Sequence, residues 1–180
     1  MTGPCFVDSN VLVYWRDARE PGKQARATEW LELLWREQRG RISVQVLSEF
    51  YSVMSRKLAG HVSPDEAWRD VLSFFAWEPQ PIDVELLRKA RDVQIRHQLN
   101  WWDAQIVAAA QIQGCALLLT EDLQDRAEYG GVVVQNPFTL RVEDERSAYQ
   151  PLPRLETRHR GRGRPRRNPT HAIGTSGDRG

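Results

Sequence analysis

Four short apolar runs, each closed by a polar residue and separated from the next by segments of helical period, constrain this chain more than any other feature. Cys5-Phe6-Val7 reads as a buried strand ending at Asp8, and Ile42-Ser43-Val44 as a second short strand. Ala116 to Leu119, ending at Thr120, and Val132 to Val134, ending near Asn136-Pro137, supply two more. Between them lie a helical turn from Asn10 to Trp15 and an amphipathic helix over 25–38, with Ala27, Trp30, Leu31, Leu34 and Trp35 inward and Gly40 as its stop. Val46, Leu47, Phe50, Val53, Met54 and Leu58 continue as a helix whose polar side includes Glu49.

Ser63-Pro64-Asp65-Glu66 has the form of a capped helix start, followed by Trp68, Val71, Leu72 and Phe75 as an apolar stripe. A proline-rich link over 78–82 leads to a helix capped by Asp83, with Leu86, Leu87, Ala90 and Val93 inward. An Ala-rich helix from Asp103 to Gln113 ends at Gly114. Strands alternating with helices make an α/β domain with a mainly parallel sheet, and the pattern stops near Phe138.

With 180 residues there is room for one compact domain with a sizeable core. The expected division is a folded domain over 1–149 and a disordered Arg/Gly/Pro-rich tail over 150–180, where apolar periodicity is lost. Charge divides at nearly the same place: 17 Lys/Arg stand against 22 Asp/Glu up to residue 153, and 8 against 2 from 154 to 180. An acidic body with a basic tail is the pattern of a chain that meets polyanions. No run is long enough to span a membrane and the opening lacks a leader pattern, so the expected location is the cytoplasm. Cys5 and Cys115, each beside an apolar run, read as small buried thiols.

Open α/β sheets place their sites at the carboxyl ends of the strands, and four acids fall there. Asp8 directly follows the first strand, Glu49 lies one helical turn past the second, Asp103 opens a helix and Asp122 follows the strand that ends at Thr120. Each one alone is explained as well by a turn, a cap or an exposed helix position. Together they would raise one another's pKa unless a cation neutralised them, so a cation belongs to the inference. Hard divalent ions such as Mg²⁺ favour oxygen donors and keep waters for chemistry, whereas His61, His97, His159 and His171 are scattered and show no zinc spacing. Glu121 and Asp125 flank Asp122 and compete for its place.

Phe6-Val7-Asp8-Ser9-Asn10-Val11-Leu12, Ser48-Glu49-Phe50, the run from Trp102-Asp103-Ala104 to Ala110, Thr120-Glu121-Asp122-Leu123 and Val134-Gln135-Asn136-Pro137-Phe138 resemble, in order, the motifs of PIN domains. The likeness is to the VapC-type toxins of bacterial toxin–antitoxin pairs and spans about residues 5–138. It implies a three-layer α/β/α fold and an Mg²⁺- or Mn²⁺-dependent endoribonuclease. By motif match, Asp8 and Asp103 would be the main metal ligands, with Asp122 and Glu49 completing the pocket, Thr120 orienting it and Asn10 supporting it. A bound divalent ion would supply water of lowered pKa for in-line attack on the phosphodiester, with no covalent enzyme intermediate. The resemblance further implies RNA as substrate, a cognate antitoxin as partner and a homodimer.

Two features fall outside these motifs. Of the seven tryptophans, Trp30, Trp35 and Trp68 sit on apolar helical stripes and read as core, while Trp101 and Trp102 precede Asp103 and divide between packing and RNA contact. Arg56 and Lys57 read as a solvated helix end. In the tail, Arg160, Arg162, Arg164, Arg166 and Arg167 surround an Arg-Gly-Arg-Pro that resembles an AT-hook core, and non-specific contact with DNA or RNA phosphates is the plainer reading. Three other functions stay open: a PIN nuclease of RNA processing or decay, a non-catalytic nucleic-acid-binding module, and a phosphotransfer enzyme. The last would normally carry Asp-x-Asp where this chain has Asp8-Ser9-Asn10.

Overall fold

The computed structural model describes residues 3–56 and 62–139. Lys57, His61 and the tail arginines Arg160, Arg162, Arg164, Arg166 and Arg167 lie outside the described residues, as does the expected tail over 150–180.

Among the described residues five strands form one sheet: β1 (Cys5–Val7), β2 (Gly40–Arg41), β3 (Leu117–Leu119), β4 (Glu128–Tyr129) and β5 (Val132–Gln135). Their order is β2-β1-β3-β5-β4, with only the β4–β5 pair antiparallel. β1 and β3 are buried at every position, as strands covered on both faces must be, which is why they read as unbroken apolar runs. Among the described residues six α-helices accompany the sheet: α1 (Ser9–Arg16), α2 (Pro21–Glu37), α3 (Val44–Arg56), α4 (Pro64–Phe74), α5 (Val84–His97) and α6 (Trp101–Ile112). α1 packs on α2 and α3, α3 on α4, and α5 along α6. The fold is the α/β arrangement with a mainly parallel sheet that the alternation of runs requires. No helix of the described residues is long and apolar enough to cross a membrane.

Chain order gives this sheet a switch point. From β1 the chain moves to β2 on one side, and from β3 it moves to β5 and β4 on the other. The crevice beyond the carboxyl ends of β1 and β3 is therefore the place where loops diverge and side chains can converge.

Several local expectations need correction. The second strand is Gly40–Arg41, two residues before the Ile42–Val44 run; Ser43 forms only an isolated bridge to Gln80, and Val44 already begins α3. Gly40 is a strand residue packed beneath Trp77, and α2 ends at Glu37 with Gln38 in the left-handed region. Pro21 is the first residue of α2, so the helix starts four residues earlier than the apolar spacing indicates. The capping box of Ser63 and Glu66 is present. The inward face of α4 is nevertheless Ala67, Asp70, Val71 and Phe74, while Trp68, Leu72 and Phe75 are about half exposed. Asp70 can occupy that face because Arg16 binds both of its carboxylate oxygens. Leu87 of α5 is also exposed.

Candidate active site

Each acid is carried to the crevice by its own element. Asp8 is the residue at which β1 becomes α1: its backbone N–H donates to Leu119 at 3.0 Å, continuing the parallel ladder, and its side chain caps the helix. Oδ1 accepts from the Ser9 N–H at 2.6 Å, leaving Oδ2 for the crevice. There it accepts the Thr120 hydroxyl at 2.7 Å and the Asn10 side-chain amide at 3.2 Å. Thr120 directly follows β3 and is fully buried.

The Thr120 hydroxyl is saturated. Its one proton goes to Asp8, and its lone pairs accept from Asn10 Nδ2 at 2.9 Å and the Asp122 backbone N–H at 3.1 Å. It is thus an orienting group with no proton left for another acceptor. The Asn10 amide also lies 3.0 Å from Asp122 Oδ2, so its two protons are shared among Thr120 and the carboxylates of Asp8 and Asp122.

This arrangement separates Asp122 from its acidic neighbours. Glu121 points to Lys23, with Oε2 2.6 Å from Nζ, and Asp125 accepts the Asn136 N–H at 2.8 Å. Only Asp122 of the three shares Asn10 with Asp8.

Glu49, on the second turn of α3, accepts from the Ser9 hydroxyl at 2.9 Å through Oε2 and from Gln45 Nε2 at 3.0 Å through Oε1. Asp103 is the third residue of α6, and the helix cap is Asn100: its side-chain Oδ1 accepts the Trp102 and Asp103 N–H groups at 2.9 and 3.0 Å. Asn100 Nδ2 in turn donates to Asp103 Oδ2 at 2.6 Å. Asp103 therefore does not open the helix as expected; it lies in the first turn, held by the cap residue Asn100.

Burial pushes the Asp8 carboxyl up to about 6, against the lowering effect of Thr120 and Ser9, with Asp122 and Glu49 adding repulsion. Asp103 is also raised, by burial first, with Asn100 opposing and Asp122 and Glu49 again repelling. The same two acids act on both, so the four carboxylates share one electrostatic field. All are hard oxygen donors, suited to Mg²⁺ or Mn²⁺. Among the described residues no three His, Cys, Asp or Glu side chains already converge closely enough to enclose an ion.

The sequence of this site matches the PIN domain family model over residues 5–127, more than half of the chain. The chain belongs to the PIN domain family. Among solved structures, a chain of a toxin-antitoxin complex from Klebsiella pneumoniae superposes on this PIN domain with a TM-score of 0.54 and 20% identity, covering 74% of this chain and 97% of its own. At that identity the likeness is one of fold. No curated protein matches the chain.

Ser9, Gln45 and Asn100 lie outside the candidate set drawn from the sequence, yet each donates to one of the acids. For Asn100 a signal existed: an Asx residue three positions before an acid is the pattern of a reciprocally capped helix start. Gln45 also had one, since it lies one helical turn before Glu49 on α3, whereas Ser9 had none, because Glu49 is brought to it by tertiary packing. Trp101 packs partly against the core, whereas Trp102, beside Asp103, is 62% exposed.

Proposed function

We propose that this PIN domain is an endoribonuclease that uses Mg²⁺ or Mn²⁺, acting as the toxin of a type II toxin–antitoxin pair. PIN domains are generally nucleases and typically use divalent metals. The observation that carries the reading is the bonded set of Asp8, Thr120, Asn10 and Asp122, sharing one electrostatic field with Glu49 and Asp103 at the switch point of the sheet.

In this reading Asp8 and Asp103 would hold the ion, with Asp122 and Glu49 completing the pocket directly or through water. Bound there, a divalent ion supplies a water of lowered pKa and charge to offset the transition state. The chain's own residues supply position. Thr120 and Asn10 fix the Asp8 carboxylate, Ser9 and Gln45 fix Glu49, and Asn100 fixes Asp103, so the acids meet an incoming phosphodiester already aimed. Exposed Trp102 beside Asp103 supports single-stranded RNA, whose unstacked bases can lie on an aromatic face. Counterion release by the tail arginines would strengthen the grip on any such strand.

Two observations support a protein partner. The structural neighbour is itself part of a toxin-antitoxin complex. On α4, Trp68, Leu72 and Phe75 form a half-exposed apolar face that an amphipathic antitoxin helix, or a second copy of the chain, would cover.

Cleavage of a mixed pool of RNA and single-stranded DNA by the purified chain, in Mg²⁺, Mn²⁺ or EDTA, tests the reading. RNA cutting confined to the metal samples supports it. Nucleic acid bound but uncut under all three conditions would favour a binding module instead.

A further inference from the structure

Lys23 is the third residue of α2, in a first turn where the helix dipole disfavours a cation. Its ammonium nevertheless stays there, 2.6 Å from Glu121 Oε2 and 2.9 Å from the Tyr14 hydroxyl. It also lies 4.1 Å above the Tyr14 ring and 5.1 Å from the centre of Phe138, and those two rings meet edge to face at 5.0 Å. Burial works against the charge, but the bonds to Glu121 and Tyr14 outweigh it and hold the Lys23 pKa above the ordinary lysine value.

One ammonium thus joins three separate parts of the chain: α1 through Tyr14, the turn after β5 through Phe138, and the loop after β3 through Glu121. Glu121 is bonded in sequence to Asp122, whose own backbone N–H is tied to Thr120 and whose carboxylate is tied to Asn10. The Asp122 loop is therefore anchored on both sides, by Thr120 before it and by the Lys23–Glu121 pair from outside the pocket. We propose that Lys23 is a positioning residue for the metal pocket, holding the Asp122 carboxylate in place through Glu121.

This rests on the metal-dependent reading above, and its consequence has a distinctive sign. Removing a cation near an acidic pocket should by charge alone tighten binding of a divalent ion. Loss of a positioning contact should weaken it, by about tenfold on the scale of residues that orient metal ligands.

The test is a Mn²⁺ titration of the full chain followed by thermal shift, which needs no cleavage. Lys23→Met is expected to raise the half-saturating Mn²⁺ concentration about tenfold, and Lys23→Arg to stay near wild type. In an Asp122→Ala background, Lys23→Met should make no further difference, because its route to the ion has been removed. Unchanged or tighter Mn²⁺ binding by Lys23→Met overturns the proposal, as does equal weakening in the Asp122→Ala background. If Lys23→Met does not fold, Glu121→Gln, which keeps an acceptor but loses the ion pair, is read against the same outcomes. A wild-type chain with no Mn²⁺-induced shift overturns both this proposal and the metal-dependent reading; a normal wild-type shift with an unaffected Lys23→Met overturns this proposal alone.

Discussion

Thr120 gives its only hydroxyl proton to Asp8 across 112 positions of sequence, at 2.7 Å and fully buried. The bond spans the two central strands at their carboxyl ends, and it fixes which Asp8 oxygen remains turned toward the crevice. Thr120→Val, close in shape, would leave Asp8 and the Asp122 N–H each short of a partner. RNA cleavage should fall by about 10- to 100-fold, while Thr120→Ser should stay within a few-fold of wild type. Rates measured at saturating metal check this; a fully active valine variant would show the hydroxyl to be dispensable.

Asp8 carries a cost that pH should expose. Its folded pKa of about 6 stands above the ordinary value of 3.8, so the folded chain binds this proton more tightly than the unfolded one. Stability therefore gains as pH falls through 6, levels off below about 4, and is penalised above 6 by on the order of 3 kcal/mol. In EDTA, Asp8→Asn should melt higher than wild type at pH 7.5, and the gap should close as pH falls toward 4. An Asp8→Asn variant that melts lower at pH 7.5 would contradict the burial argument.

Gly40 marks the close approach of β2 to the Trp77 ring. A Cβ there would lie 2.5 Å from Trp77 Cε2, and Trp77 is itself buried. Gly40→Ala should cost roughly 1–3 kcal/mol in urea unfolding, without changing the Mn²⁺ half-saturation. A change in metal affinity instead would mean that β2 is coupled to the pocket.

How much of this was legible in sequence depended on whether the signal was local. Cys5-Phe6-Val7-Asp8 and the capping box of Ser63 and Glu66 are written in adjacent residues, and the structure contains both. β4 was not anticipated: Glu128–Tyr129 is only two residues long, and it pairs with β5 through a Gly130-Gly131 turn at positive φ. On α4 apolar periodicity misled, because the buried face includes Asp70, whose charge is met by Arg16, 54 positions away. At the site, Asp8 and Asp122 could be picked out by their position after strands, and Asp103 by its place near a helix start. Motif match favoured Asp122 over Glu121 and Asp125 but gave no physical reason; that lies in where Lys23 and Asn136 hold the other two.

The most direct test of the central claim is the rate of RNA cleavage against Mn²⁺ concentration for wild type, Asp8→Asn and Asp103→Asn, with EDTA as the metal-free control. One shared metal pocket predicts cleavage that is absent in EDTA and reduced at least about 100-fold in both variants. Cleavage that survives EDTA, or an Asp103→Asn variant cutting at the wild-type rate, would contradict it.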